Sequence, residues 1–152
     1  MRSAESWFSE YGESHRNRVN QLIHKVAVPA IYFSIAGLLW ALPQMSWMQP
    51  YAWLNWATLI LVLVMVFYAT LGLRFFVALL LFSLACVAAI AWLAVETALL
   101  WQLSLAIFIV AWVLQFVGHK IEGVKPSFFK DILFLLVGPA WVFDGLWRAI
   151  KG

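Results

Sequence analysis

Charge is scarce in this sequence. Only 11% of its 152 residues are Asp, Glu, Lys or Arg, 65% are hydrophobic, and the mean hydropathy is +0.91. A soluble domain carries about a quarter charged residues. The balance excludes an ordinary soluble domain and predicts an all-α polytopic membrane protein, one domain over residues 1–152. Cysteine is almost absent. The single Cys86 sits deep in an apolar run, which rules out an internal disulfide, an iron–sulfur cluster and a thiolate zinc site, and leaves a small core-filling residue. Histidine is also rare: His15, His24 and His119 are all there is, too few for the histidine boxes of membrane desaturases. None lies inside the apolar runs, which excludes a haem pair held between spans. There is no Walker loop, no G-x-S-x-G and no Cys-x-x-Cys. The net charge of +3 is too small for a nucleic-acid footprint, so no nucleic-acid partner is expected.

What the chain has is long uncharged stretches. Four spans are predicted, at about 26–42, 51–73, 75–95 and 97–117, the first at the short end of the ~20 residues that cross a ~30 Å hydrocarbon core. Pro29 near the start of the first span is read as a tolerable first-turn proline. Trp40, Trp47, Trp53, Trp56 and Trp147 suit the water–lipid boundary. Residues 1–25 are polar and carry Glu5, Glu10 and Glu13 without an apolar core, so no cleavable signal peptide is expected. Within them Trp7, Phe8 and Tyr11 fall at helical spacing and predict an N-terminal interfacial helix around 4–11. The chain breaks near 12–14, and a second helical piece from about 17 runs into the first span. The last apolar stretch contains Gly138-Pro139 and ends at Asp144. It is too short to cross comfortably, so 132–147 is expected to be a re-entrant or interfacial segment, with a fifth span as runner-up.

Four spans place Arg2, Arg16, Arg18, Lys25, Arg74, Lys120, Lys125 and Lys130 on the side of the N-terminus, joined by Arg148 and Lys151 if the last segment does not cross. The other side then has no Lys or Arg. The positive-inside rule puts both termini in the cytoplasm, and the same topology puts all three histidines there. Short loops lean towards a bacterial inner membrane rather than the endoplasmic reticulum.

Gln115, His119 and Glu122 recur at i, i+4, i+7 and form one polar stripe at the end of the fourth span. Asn20 and His24 form a matching stripe near the N-terminus, with His15 before it. His15 and His24 meet only if the chain turns between them. Three imidazoles and a carboxylate at one membrane face make a divalent metal site of His15, His24, His119 and Glu122, with Asn20, Gln115 and Glu122 as candidate catalytic groups. Iron with open positions suits oxygen chemistry; zinc suits hydrolysis. The bland readings are capping histidines, a Glu122 paired with Lys120 or Lys125, and Asn20 and Gln115 as hydrogen bonds locking helices in a scaffold or lipid-binding protein.

The spaced segments Tyr11-x3-His15-x4-Asn20-x3-His24-x4-Pro29 and Gln115-Phe-Val-Gly-His119-Lys-Ile-Glu122-x3-Pro126 resemble the 2-hydroxy fatty acid dioxygenases, a family first named for converting phytosphingosine to odd-numbered fatty acids. The resemblance covers essentially the whole chain. One departure is Ser127, where the pattern expects Ala after Pro126. The resemblance implies an iron(II)-dependent α-oxidation, in which a 2-hydroxy fatty acid and dioxygen give the acid one carbon shorter and carbon dioxide. It implies His15, His24 and His119 as iron ligands and Glu122 as a fourth ligand or an orienting group. Arg16, Arg18 or Lys120 then offset the substrate carboxylate, and the acyl tail lies between spans in the lipid bilayer.

Overall fold

The computed structural model describes residues 2–51, 53–127 and 133–151. Among them are six α-helices and no strand: α1 Ala4–Glu13, α2 Arg18–Trp40, α3 Trp56–Leu71, α4 Leu73–Glu96, α5 Leu100–Glu122 and α6 Phe134–Lys151.

Three of these, α2, α4 and α5, are long and apolar enough to cross a membrane. The second expected span, 51–73, is shorter as a helix than as an apolar run. α3 has 16 residues, ~24 Å of helix against a ~30 Å hydrocarbon core. The reason is local. Asn55 starts the helix with a capping box: its side chain accepts from the Thr58 amide, and the Thr58 hydroxyl accepts from the Asn55 amide. The aromatic stretch before it is not helical; Trp56 Nε1 donates to the Pro43 carbonyl at 2.9 Å and folds the loop back.

The N-terminal helix forms as the spacing predicts. Ser3 caps α1 by accepting from the Ser6 amide, and its apolar side, Trp7 and Tyr11, is buried. That side packs on α6, with Trp7 edge-on to Phe134 at 5.3 Å and Tyr11 against Trp141 at 5.3 Å. α2 begins at Asn17, whose side chain accepts from the Val19 amide. Pro29 therefore lies inside α2, not in its first turn, and leaves one carbonyl of the preceding turn without its helical donor.

α2 and α5 cross closely because small residues face partner side chains. A Cβ on Gly118 would collide with Asn20 Oδ1, and one on Gly37 with Ser104 Oγ. The final segment is one helix through Gly138-Pro139 and extends past 147 to Lys151. Lys130 and the first residue of the 132–147 segment lie outside the described residues. Asp144 is buried and pairs with Arg148 at 2.7 Å and with Arg74 at the start of α4. The α3–α4 turn, α6 and α1 are thereby gathered at one end of the molecule, which is also the end where the N-terminal part of α2 meets the C-terminal part of α5.

Candidate metal centre

At that end the three histidines come together from three places in the chain. His15 is in the link between α1 and α2, His24 in the second turn of α2, and His119 in the last turn of α5. Ring centroids are 4.2 Å apart for His15–His24 and 4.9 Å for His119 to each of the others. One ligand nitrogen from each lies within 4.8 Å of the rest, and all three residues are buried. The turn that the sequence demanded between His15 and His24 is there, at the break between α1 and α2.

Two of the rings are oriented by a backbone carbonyl four residues earlier. His15 Nδ1 donates to the Tyr11 carbonyl at 2.6 Å and His24 Nδ1 donates to the Asn20 carbonyl at 2.9 Å. These bonds fix the tautomer and leave Nε2 as the lone-pair atom. His15 is clamped further by Tyr11, stacked on it at 4.1 Å with planes 9° apart, and by Trp141 at 5.3 Å. Burial pushes the His15 imidazolium down to about 4, against the opposing pull of the Tyr11 carbonyl, so the ring is neutral at pH 7.

Glu122 does not stand among the three nitrogens. Its Oε1 accepts from the Arg16 amide at 2.8 Å; its Oε2 accepts from the Asn17 amide at 2.8 Å and from Asn20 Nδ2 at 3.0 Å. A carboxylate at the end of α5 thus holds the N-terminus of α2, where free amides and the helix dipole favour negative charge. Asn20 continues the staple by donating to the Ser14 carbonyl at 3.2 Å, and Gln21 Nε2 donates to the His15 carbonyl at 2.8 Å. α5 stops at Glu122 because Gly123 takes a left-handed conformation, φ 78°, and returns its amide to the His119 carbonyl.

The histidines form one end of a cavity of about 200 Å³. The rest of its lining is mostly apolar. Val28, Ile31, Ile35, Ala36 and Leu39 lie along one face of α2, opposite Ile60, Leu61 and Val64 of α3. His24 to Leu39 along α2 is a path of ~22 Å, more than the ~15 Å hydrocarbon depth of one leaflet. Gln115 lines the same space beside the rings. Arg16, Arg18 and Lys120 do not: all three are exposed and none lines the cavity.

The family model for 2-hydroxy-palmitic acid dioxygenase Mpo1-like proteins matches residues 1–150. The chain belongs to this family. No curated protein and no solved structure matches it significantly. The family description is that of a dioxygenase, and the donor set of three clustered imidazoles fits a metal ion. His15 Nε2 and His119 Nδ1 are buried without a hydrogen-bond partner, a costly state for imidazole nitrogens unless a ligand completes them. Metal–nitrogen bonds are ~2.0–2.1 Å, so a movement of under about 1 Å per ring closes the three round one ion.

Some groups at the centre were not marked as site residues by the sequence. Tyr11 stacks on His15 and Trp141 packs against both rings, and Ser14 Oγ lies 3.1 Å from His15 Nδ1 and hydrogen-bonds Ser127 Oγ. Tyr11 carried a signal, since it precedes His15 by one helical turn. Trp141 and Ser127 are brought in only by tertiary packing, and no local pattern marks them.

Proposed function

We propose that this chain is an iron(II)-dependent dioxygenase that shortens 2-hydroxy fatty acids by one carbon. The observation that carries the reading is the union of two features in one cavity. Three buried imidazoles with unengaged nitrogens lie at one end, and an apolar path deep enough for a long acyl tail leads away from them. Family membership supplies the reaction class.

His15, His24 and His119 would hold the metal, in the neutral, lone-pair-bearing forms that their backbone hydrogen bonds select. Iron(II) supplies the activation of dioxygen and, as a cation, offsets the carboxylate of the substrate head. That last role matters because, among the described residues, no Lys or Arg lines the cavity, so Arg16, Arg18 and Lys120 act from outside it, through the surface field. The tail lies along the α2–α3 groove, each buried methylene contributing ~0.8 kcal/mol. The groove also holds bulk water away from the reacting carbon. The reaction balances without a further reductant: one 2-hydroxy acid and one dioxygen give the shortened acid, carbon dioxide and water. Four electrons pass from C1 and C2 of the substrate to oxygen. Glu122 and Asn20 act by holding the His15 link against α5.

The site faces the cytoplasm: among the described residues every Lys and Arg lies towards its end, and the 41–55 loop and the turn after Glu96 at the other end carry none. A bacterial inner membrane suits the short loops.

The test is a mass-spectrometric assay of purified protein with ferrous iron, air and 2-hydroxypalmitate. Pentadecanoate appearing in step with oxygen uptake supports the reading. Stoichiometric zinc after anaerobic purification, with no iron-dependent oxygen uptake, replaces it with a hydrolase; a protein that retains no metal under any preparation replaces it with a scaffold.

A further inference from the structure

Gln115 is 8% exposed and sits on α5 one helical turn before His119, on the same face. It lines the cavity at the end where the three rings gather. Its Oε1 is buried and has no hydrogen-bond partner. A buried amide oxygen left unpaired costs stability, and Leu or Met in the same volume would remove that cost. Interhelical locking does not account for the side chain either, since no donor on α2 reaches the oxygen. The group is an acceptor waiting for a donor that the protein does not provide.

We propose that Gln115 reads the 2-hydroxyl of the substrate and so selects hydroxylated over unsubstituted fatty acids. The proposal rests on the reading of this cavity as one that takes 2-hydroxy acids. At neutral pH the head of such an acid offers two kinds of group: a carboxylate, which only accepts, and a hydroxyl, which is its one donor. Oε1 pairs with that donor. A fatty acid without the hydroxyl presents nothing to Oε1 and leaves it unpaired in a desolvated site, which is how a buried polar group rejects the analogue that lacks its partner. Discrimination here comes from an unsatisfied acceptor, so it operates on binding and does not need turnover.

The experiment is equilibrium binding of 2-hydroxypalmitate and of palmitate to detergent-solubilised protein. It is run metal-free and, anaerobically, loaded with ferrous iron, for the native chain, Gln115→Met and Gln115→Leu. The native protein is expected to bind the hydroxy acid about tenfold or more tightly than palmitate, and to keep a preference when metal-free. Both variants are expected to lose about tenfold in affinity for the hydroxy acid, keep their affinity for palmitate, and melt no lower than the native protein. A purely structural glutamine predicts the reverse: lower melting temperatures and equal losses for the two acids. The proposal is overturned if the variants keep the native ratio, if palmitate binding falls in parallel, if the native protein shows no preference, or if neither variant folds. Loss of the dioxygenase reading is a separate result: no pentadecanoate from native protein, with the binding ratio and its dependence on Gln115 intact.

Discussion

Each imidazole at the centre has one nitrogen committed to the protein and one left over. For His15 and His24 the committed atom is Nδ1, bonded to the carbonyl of the residue four earlier. That bond orients the ring and makes it a better donor to a cation. It follows that removing one ring should cost the ion, not the fold. His24→Gln is expected to keep the helical circular dichroism of the native protein, lose retained metal through dialysis and lose turnover completely; loss of helicity instead would make His24 a core residue. The depressed His15 ring adds a pH dependence with a definite sign. Its ordinary value in an unfolded chain is about 6.5 and burial holds it at about 4. Between those values the unfolded chain binds the extra proton, so stability of the metal-free protein rises with pH across the window and is lost as pH falls through it. Metal retention moves the same way, since protons compete for the same lone pairs. Thermal unfolding of metal-free protein on both sides of the window checks this; a flat profile would contradict the buried neutral ring.

At the scale of elements, the site is a junction between the start of α2 and the end of α5, and Glu122 is its staple. A ligand and a staple respond differently to substitution. Glu122→Gln keeps the shape but weakens three charge-assisted hydrogen bonds, worth ~1.5–3 kcal/mol each against ~1 for neutral ones. The expected result is ~1–2 kcal/mol lower stability and metal affinity down by about tenfold, with activity restored at high iron. Activity that no iron concentration restores would make Glu122 a ligand. The i, i+4, i+7 stripe made Gln115, His119 and Glu122 legible as one face, and the helix break near residues 12–14 made the convergence of His15 with His24 legible too. The destination of the Glu122 carboxylate was not. Helical spacing gives the face a side chain occupies, while the choice between a cation and a set of amides depends on how closely the next helix approaches. Gly118 sets that distance by letting Asn20 press against α5. The trimmed α3 shows the same limit: hydropathy marked the apolar run, but the Asn55–Thr58 capping box decided where helix begins. For the last segment, length and Gly-Pro predict a re-entrant or interfacial piece, with a fifth span as runner-up. α6 forms a continuous helix through Pro139, at the loss of the bond that a residue there would give the Leu135 carbonyl, and its partners α1 and Arg74 are remote in sequence.

For the whole molecule, one end carries the chemistry and the basic residues together. α1, the α3–α4 turn and α6 are tied there by aromatic packing and by the Arg74–Asp144–Arg148 cluster. The opposite end has the 41–55 loop and the tight turn after Glu96, without a Lys or Arg between them. A lipid substrate with an anionic head suits this polarity: its head lies at the basic end and its tail runs into the hydrocarbon. Orientation is therefore a testable property of the mechanism. Single cysteines at Trp47, which is exposed in the distal loop, and at Lys151, which is exposed at the end of α6, report the two ends against a background with Cys86 replaced by Ala. In intact bacterial cells a membrane-impermeant thiol reagent should modify the cysteine at position 47 and spare the one at 151 until the membrane is broken. Position 151 also separates the two fates of the last segment. If α6 crossed the membrane, Asp144 and Arg148 would enter hydrocarbon at a cost of ~2.5–3.5 kcal/mol for each charge near its centre, and position 151 would label from outside. Labelling of 47 alone means that α6 lies at the cytoplasmic boundary beside α1, covering the histidines from the water side.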